Sequence, residues 1–147
     1  MDKKSYRQKE RCKVLNPIIE FLEGEWECHD TTIIPDEPPK EKTYRESMRA
    51  LDAHTIEITA YGYDERDLFT KSMRLELDGE DLTMSQDGFK ASGKFIGNYA
   101  KLVNDDYEGY TYHIRLALLD DIYVFQKDCF EEGVLVRTQM SYLRRLD

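Results

Sequence analysis

Two carboxylates, Asp30 and Glu46, are the best candidates for acid–base chemistry, because both fall on the inward face of segments with an alternating pattern. A carboxylate taken out of water costs several kcal/mol unless it is paired or protonated. Beside an inward tyrosine it could serve as acid and base, provided its pKa is raised toward neutrality. Gln126 and Thr138 read as inward as well, and Tyr61-Gly62-Tyr63-Asp64 ends a strand with two rings that would suit a ligand gate. His29, His54 and His113 sit on three separate segments without the spacing of a metal site, so they read as surface histidines and no metal is expected. Cys12, Cys28 and Cys129 are odd in number and lack a Cys-x-x-Cys word, which predicts idle buried thiols. There is no Gly-rich phosphate loop, no Gly-x-Ser-x-Gly elbow and no Cys-His signature, so no cofactor and no catalytic residue is assigned.

The elements that must position these groups start at Asn16. Asn16 offers an N-cap, Pro17 suits the first helical position, and Ile18, Ile19, Phe21 and Leu22 supply an apolar face. Gly24 can end the helix in a left-handed turn, leaving a plug of about two turns. From Trp26 the period changes to two, placing Trp26, Cys28, Asp30, Thr32 and Ile34 on one face. Pro35 and Pro38-Pro39 stop that strand, and residues 35–41 read as a rim loop. Strands follow at Thr43–Leu51, Thr55–Tyr63, Leu68–Asp78, Asp81–Ser85 and Phe89–Ile96, then at Tyr99–Val103, Gly109–Leu118, Ile122–Lys127 and Val134–Leu143. Asp78-Gly79 and Asp87-Gly88 are hairpin words, and Asn104-Asp105-Asp106, Asp120-Asp121 and Glu131-Glu132-Gly133 read as turns. Ten short strands without helical periods between them predict an all-β, antiparallel up-and-down β-barrel, with a β-sandwich as the alternative.

With Trp26 inward, the matching faces include Tyr44, Met48 and Ala50, then Ile56, Ile58 and Ala60, then Phe69, Met73 and Leu75. Phe89, Phe95, Tyr110, Tyr112, Ile114 and Leu116 continue the set, and Val134, Val136, Met140 and Tyr142 complete it. The cavity candidates are Glu46, Met48, Tyr61, Tyr112, Thr138 and Met140. Such a wall favours a neutral or cationic, partly aromatic ligand. A slip of one residue would instead turn Arg45, Arg115 and Arg137 inward and reverse that preference.

Composition bounds the rest. At 147 residues the chain has room for one core, divided here into a basic arm or marginal helix over residues 1–15 and a barrel domain over 16–147. The net charge of −9 repels polyanions, so nucleic acid is not an expected partner. No apolar run is long enough to span a bilayer or to form a signal peptide, which predicts a cytoplasmic protein. Lys3, Lys4, Arg7, Lys9, Arg11 and Lys13 make the first residues basic, an arm that could dock on the acidic body or on a second copy in a homodimer.

Leu22-Glu23-Gly24-Glu25-Trp26 and Ser141-Tyr142-Leu143-Arg144-Arg145 resemble the two ends of a lipocalin-like (calycin) barrel, as in small uncharacterised intracellular bacterial members. The resemblance implies that Trp26 closes one barrel end and that Arg144 or Arg145 packs on its ring. It also implies a small-molecule cavity, without naming the ligand. The loop motifs of secreted lipocalins and the helix pair of the fatty-acid carriers are missing. Three function classes remain: a noncatalytic small-molecule binder, favoured; a small barrel enzyme using Glu46 or Asp30 with a tyrosine; and an interaction module working through its acidic surface. An internal cavity would separate the first two from the third.

Overall fold

The computed structural model describes residues 16–62 and 70–146. The basic arm with Cys12, Tyr63 and Asp64 of the expected ligand gate, and Leu68 and Phe69 lie outside them. Helix α1 spans Pro17–Leu22, and the Asn16 Oδ1 accepts a hydrogen bond from the Ile18 N–H at 2.8 Å. Six residues are too few to hold a helix in water, so α1 depends on burying Ile19 and Leu22 against the barrel.

The helix ends otherwise than the glycine suggested. Glu23 is extended and its N–H bonds to the Ile19 carbonyl at 3.0 Å, while Gly24, at φ 139°, already belongs to the first strand. A Cβ on Gly24 would lie 3.0 Å from Arg145 Nη1. The glycine therefore admits a guanidinium beside the chain as well as turning it.

Ten strands follow among the described residues: β1 Gly24–Ile33, β2 Lys40–Ala50, β3 Thr55–Gly62, β4 Thr70–Asp78, β5 Asp81–Gln86, β6 Phe89–Ile96, β7 Tyr99–Tyr107, β8 Tyr110–Leu119, β9 Ile122–Glu131 and β10 Val134–Leu146. Each is antiparallel to the next, and β1 pairs with both β2 and β10, so the sheet closes and leaves no free edge. Closure rules out the β-sandwich. Two-residue turns at Asp87-Gly88, Glu108-Gly109 and Glu132-Gly133 place both residues at positive φ, the backbone that matches strand twist in tight hairpins. Asn104, Asp105 and Asp106 do not form the expected turn; they continue β7 through a bulge between Asn104 and Tyr107. At Gly93 a Cβ would stand 1.7 Å from the Lys101 carbonyl oxygen, so β6 and β7 meet there only because no side chain intervenes.

Strands of a closed barrel tilt, so a row of paired residues climbs the wall. Trp26, Glu46, Ala60 and Lys71 form such a row, running from fully buried at the α1 end to exposed at the rim. Trp26 is sealed below by α1 and its Nε1 donates to the Leu22 carbonyl at 2.8 Å.

Two strands depart from the expected register. In β9 both faces are apolar, Ile122 and Val124 against Tyr123 and Phe125, so alternation does not choose between them. Tyr123, Phe125 and Lys127 line the interior, and Gln126 points outward, donating to Asp128 at 3.2 Å. In β10 a bulge between Leu135 and Arg137 inserts Val136 and inverts the remainder of the strand. Gln139, Ser141 and Leu143 face in, while Met140 and Tyr142 face out with 47% and 38% of their surface exposed.

Candidate functional site

The barrel holds a cavity of about 530 Å³ that is partly open to solvent. Ile58, Ala60, Met73 and Met84 from β3, β4 and β5 form its apolar wall, with Phe89, Phe125 and Leu143 facing them from β6, β9 and β10. Against this surface stand two carboxylates, Asp30 and Glu46, two phenols, Tyr44 and Tyr123, and three ammonium groups, Lys42, Lys71 and Lys127.

Asp30 is organised by the inverted strand: its Oδ1 accepts from the Ser141 hydroxyl at 2.6 Å and from Gln139 Nε2 at 3.0 Å. Lys42 sits directly opposite it on β2. Glu46 lies deeper, paired in register with Trp26. Burial pushes its carboxyl up to about 7; the negative charge of Asp30 adds to the rise, and a hydrogen bond from Tyr44 opposes it. Tyr44 and Tyr123 are both raised, by burial first and then by the charge of Glu46. The Cys28 thiol is pushed up to about 12 by burial and then by Glu46, so it stays protonated and is a poor nucleophile. Tyr123 keeps a buried hydroxyl with no hydrogen-bond partner among the described residues.

Lys127 occupies the other side. Its ammonium lies 5.3 Å from the centroid of Phe89 and 5.1 Å from that of Tyr112, whose rings meet edge to face. Burial lowers its pKa, and the positive charge of Arg137 lowers it further.

Of the residues picked from sequence, Glu46 lines the cavity. Met48, 1% exposed, belongs to the packed floor, paired with Gly24 and Ile58. Tyr112 stands behind the wall, against Phe89 and under Lys127. Tyr61 is outside: it alternates with the inward Ala60, so its ring is 42% exposed. Thr138 and Met140 are outside through the bulge in β10, and the Thr138 hydroxyl donates to Asp128 at 2.9 Å. The wall is also not the neutral-to-acidic one expected. Lys42 and Lys71 share faces with Tyr44 and Met73 by simple alternation, a signal passed over at the strand ends, whereas Lys127, Gln139 and Ser141 follow from the register of β9 and β10.

Trp26 meets Arg145, whose guanidinium carbon is 4.3 Å from the ring centroid; Arg144 pairs with Glu27 on the exposed face. His29 is held at the surface by Glu27 at 2.9 Å, and His113 rests on Phe130. Among the described residues no group of three His, Cys, Asp or Glu side chains could hold a metal, and no helix is long and apolar enough to cross a membrane.

The closed sheet, ten-stranded among the described residues, with the short helix α1 at one end, is a lipocalin-like all-β barrel. Solved structures share it. An S-type phycobiliprotein lyase, CPES, from Guillardia theta superposes with a TM-score of 0.68 at 14% identity, covering 88% of this chain and 91% of that one. A protein of unknown function from the DUF3598 family of Nostoc punctiforme gives 0.67 at 17% identity, covering 90% of this chain and 49% of that one. Rv2717c from M. tuberculosis gives 0.62 at 12% identity, covering 90% and 99%. No family model matches the chain, and no curated protein matches it. At these identities the likeness is one of fold.

Proposed function

We propose that residues 16–147 form a cytoplasmic calycin-type carrier that binds a small molecule with a largely apolar, partly aromatic body inside the barrel. The carrying observation is the cavity of about 530 Å³ inside the barrel, open at the rim where Lys42 and Lys71 are exposed, within the range of roughly 300–1,000 Å³ that small-molecule sites occupy. The unpartnered Tyr123 hydroxyl supports the same reading, since a buried polar group without a partner is costly and a ligand can supply one. The free thiols of Cys28 and Cys129 accord with a reducing compartment.

Native mass spectrometry of the protein purified from its own host tests this. A small molecule should stay bound to the wild type and be lost from Ala60→Trp, which would fill the cavity from β3. Retention by that variant would place the binding elsewhere and defeat the proposal.

One observation favours a second reading, a small barrel enzyme. Glu46 is held near pH 7 with a tyrosine hydrogen-bonded to it, a pair suited to moving a proton on a bound molecule. Chemical conversion of the co-purifying molecule, abolished by Glu46→Gln without loss of its binding, would decide for it; binding without conversion decides for the carrier.

A further inference from the structure

Lys127 lines the cavity from β9. Among the described residues no carboxylate lies within ion-pair distance of its ammonium, which instead rests on the faces of Phe89 and Tyr112 at 5.3 and 5.1 Å. Ring faces compensate a desolvated cation only in part. Two further cations act on it, Arg137 at the adjoining end of β10 and Lys71 across the cavity, and both disfavour its charge. The carboxylate that opposes them, Asp30, acts only weakly on Lys127 and already accepts hydrogen bonds from Ser141 and Gln139 and faces Lys42 in register. Lys42, Lys71 and Lys127 thus share the wall with two carboxylates, Asp30 and Glu46, the latter raised to about 7, inside a chain whose net charge is −9.

Accepting the cavity reading above, on which this rests, we propose that the ligand carries an anionic oxygen group, of the carboxylate kind, seated between Lys127 and Lys71, with its apolar or aromatic body along Phe89, Phe125 and Met73. The anion supplies the counter-charge that no carboxylate among the described residues brings to Lys127. A charge-assisted hydrogen bond in a partly dry site is roughly twice as strong as a neutral one, and it relieves the repulsion among three neighbouring cations. The opposite charge class, a cationic ligand, would add a fourth positive group to the same wall. Compensation by the carboxylates of the described wall would require Glu46 or Asp30 to leave its hydrogen bonds.

The test uses three matched fluorescent probes on the full chain: naphthylbutyrate, naphthylbutanol and naphthylbutylammonium. The carboxylate should bind about ten- to a hundredfold more tightly than the alcohol, with the ammonium weakest. Lys127→Met should erase the preference for the carboxylate while leaving the alcohol's affinity within about twofold, and Lys127→Arg should restore it. Lys71→Met should reduce it. A preference that survives both methionine variants, or an alcohol that binds as tightly as the carboxylate, overturns the anion seat but leaves the carrier intact. Failure of all three probes, or binding unchanged in Ala60→Trp, counts instead against the cavity reading itself.

Discussion

The Arg145 guanidinium covers the indole of Trp26 and at the same time caps the helix beneath it, its Nη1 donating to the Glu23 carbonyl at 3.0 Å and its Nη2 to the carbonyl of Phe21. One side chain from β10 therefore joins the last turn of α1, the first strand and the closing seam. Trp26→Ala should destabilise the protein by about 3 to 5 kcal/mol, the usual cost of emptying a large buried ring. Arg145→Ala should cost about 1 to 3 kcal/mol, since it loses a cation–π contact and two hydrogen bonds to carbonyls. Arg144→Ala, on the exposed face, should fall within about 0.5 kcal/mol of wild type. Urea denaturation of the three variants checks the order; an Arg144 effect equal to that of Arg145 would contradict it.

Glu46 links stability to pH. Its folded-state pKa is raised from the ordinary 4.5 to about 7, so between those values the folded chain binds a proton that the unfolded chain has released. The stabilisation from this group is complete below about pH 4.5, declines as pH rises toward 7 and levels off above. The decline is on the order of 3 kcal/mol. Glu46→Gln should flatten the stability profile through that window and be more stable than wild type at about pH 8. A profile unchanged by the substitution would mean that Glu46 is not the group that titrates.

Removing the Tyr123 hydroxyl should help the empty protein. Because that oxygen is buried without a partner among the described residues, Tyr123→Phe should raise stability by about 1 kcal/mol and weaken binding of any ligand that hydrogen-bonds there. Melting curves with and without the co-purified molecule separate the two effects. A destabilised empty variant would show that the hydroxyl already has a partner.

Cys28 should resist alkylation. With its thiol held up at about 12, it is almost entirely protonated at about pH 8, where an ordinary cysteine is substantially ionised. Iodoacetamide followed by peptide mapping should modify Cys28 only after unfolding. Rapid labelling of the native protein would refute both the burial and the raised pKa.

The capped helix and the strand order were legible because each rests on local signals: Asn16 before Pro17, alternation through β1 to β3, and turn words such as Asp87-Gly88. The closure came from a family resemblance that left Arg144 and Arg145 both open, and the structure places Arg145 on Trp26. The cavity was less legible. In β10 the apolar Met140 and Tyr142 face solvent while Ser141 and Gln139 face Asp30, an inversion produced by one inserted residue near Val136 that leaves no mark in composition. In β9 two equally apolar faces hide the choice, and the side chosen is the one that turns Lys127 toward Phe89 and Tyr112. Lys42 and Lys71 could have been read from alternation in β2 and β4, whereas the third cation, Lys127, depended on the register of β9.

Every seam of this barrel but one joins strands adjacent in sequence; the exception is β1 with β10, which pairs Trp26 with Arg145 from opposite ends of the described chain. Hairpins can form with little loop-closure entropy, whereas that last pairing must draw together the most distant segments. The rate-limiting barrier should then be crossed with the seam still open, and the Arg145 contacts should form on the native side of it. Arg145→Ala is accordingly expected to accelerate unfolding while leaving the refolding rate nearly unchanged. In a chevron plot the whole effect should appear in the unfolding limb, so this arginine would govern how long a folded molecule persists more than how quickly one is made.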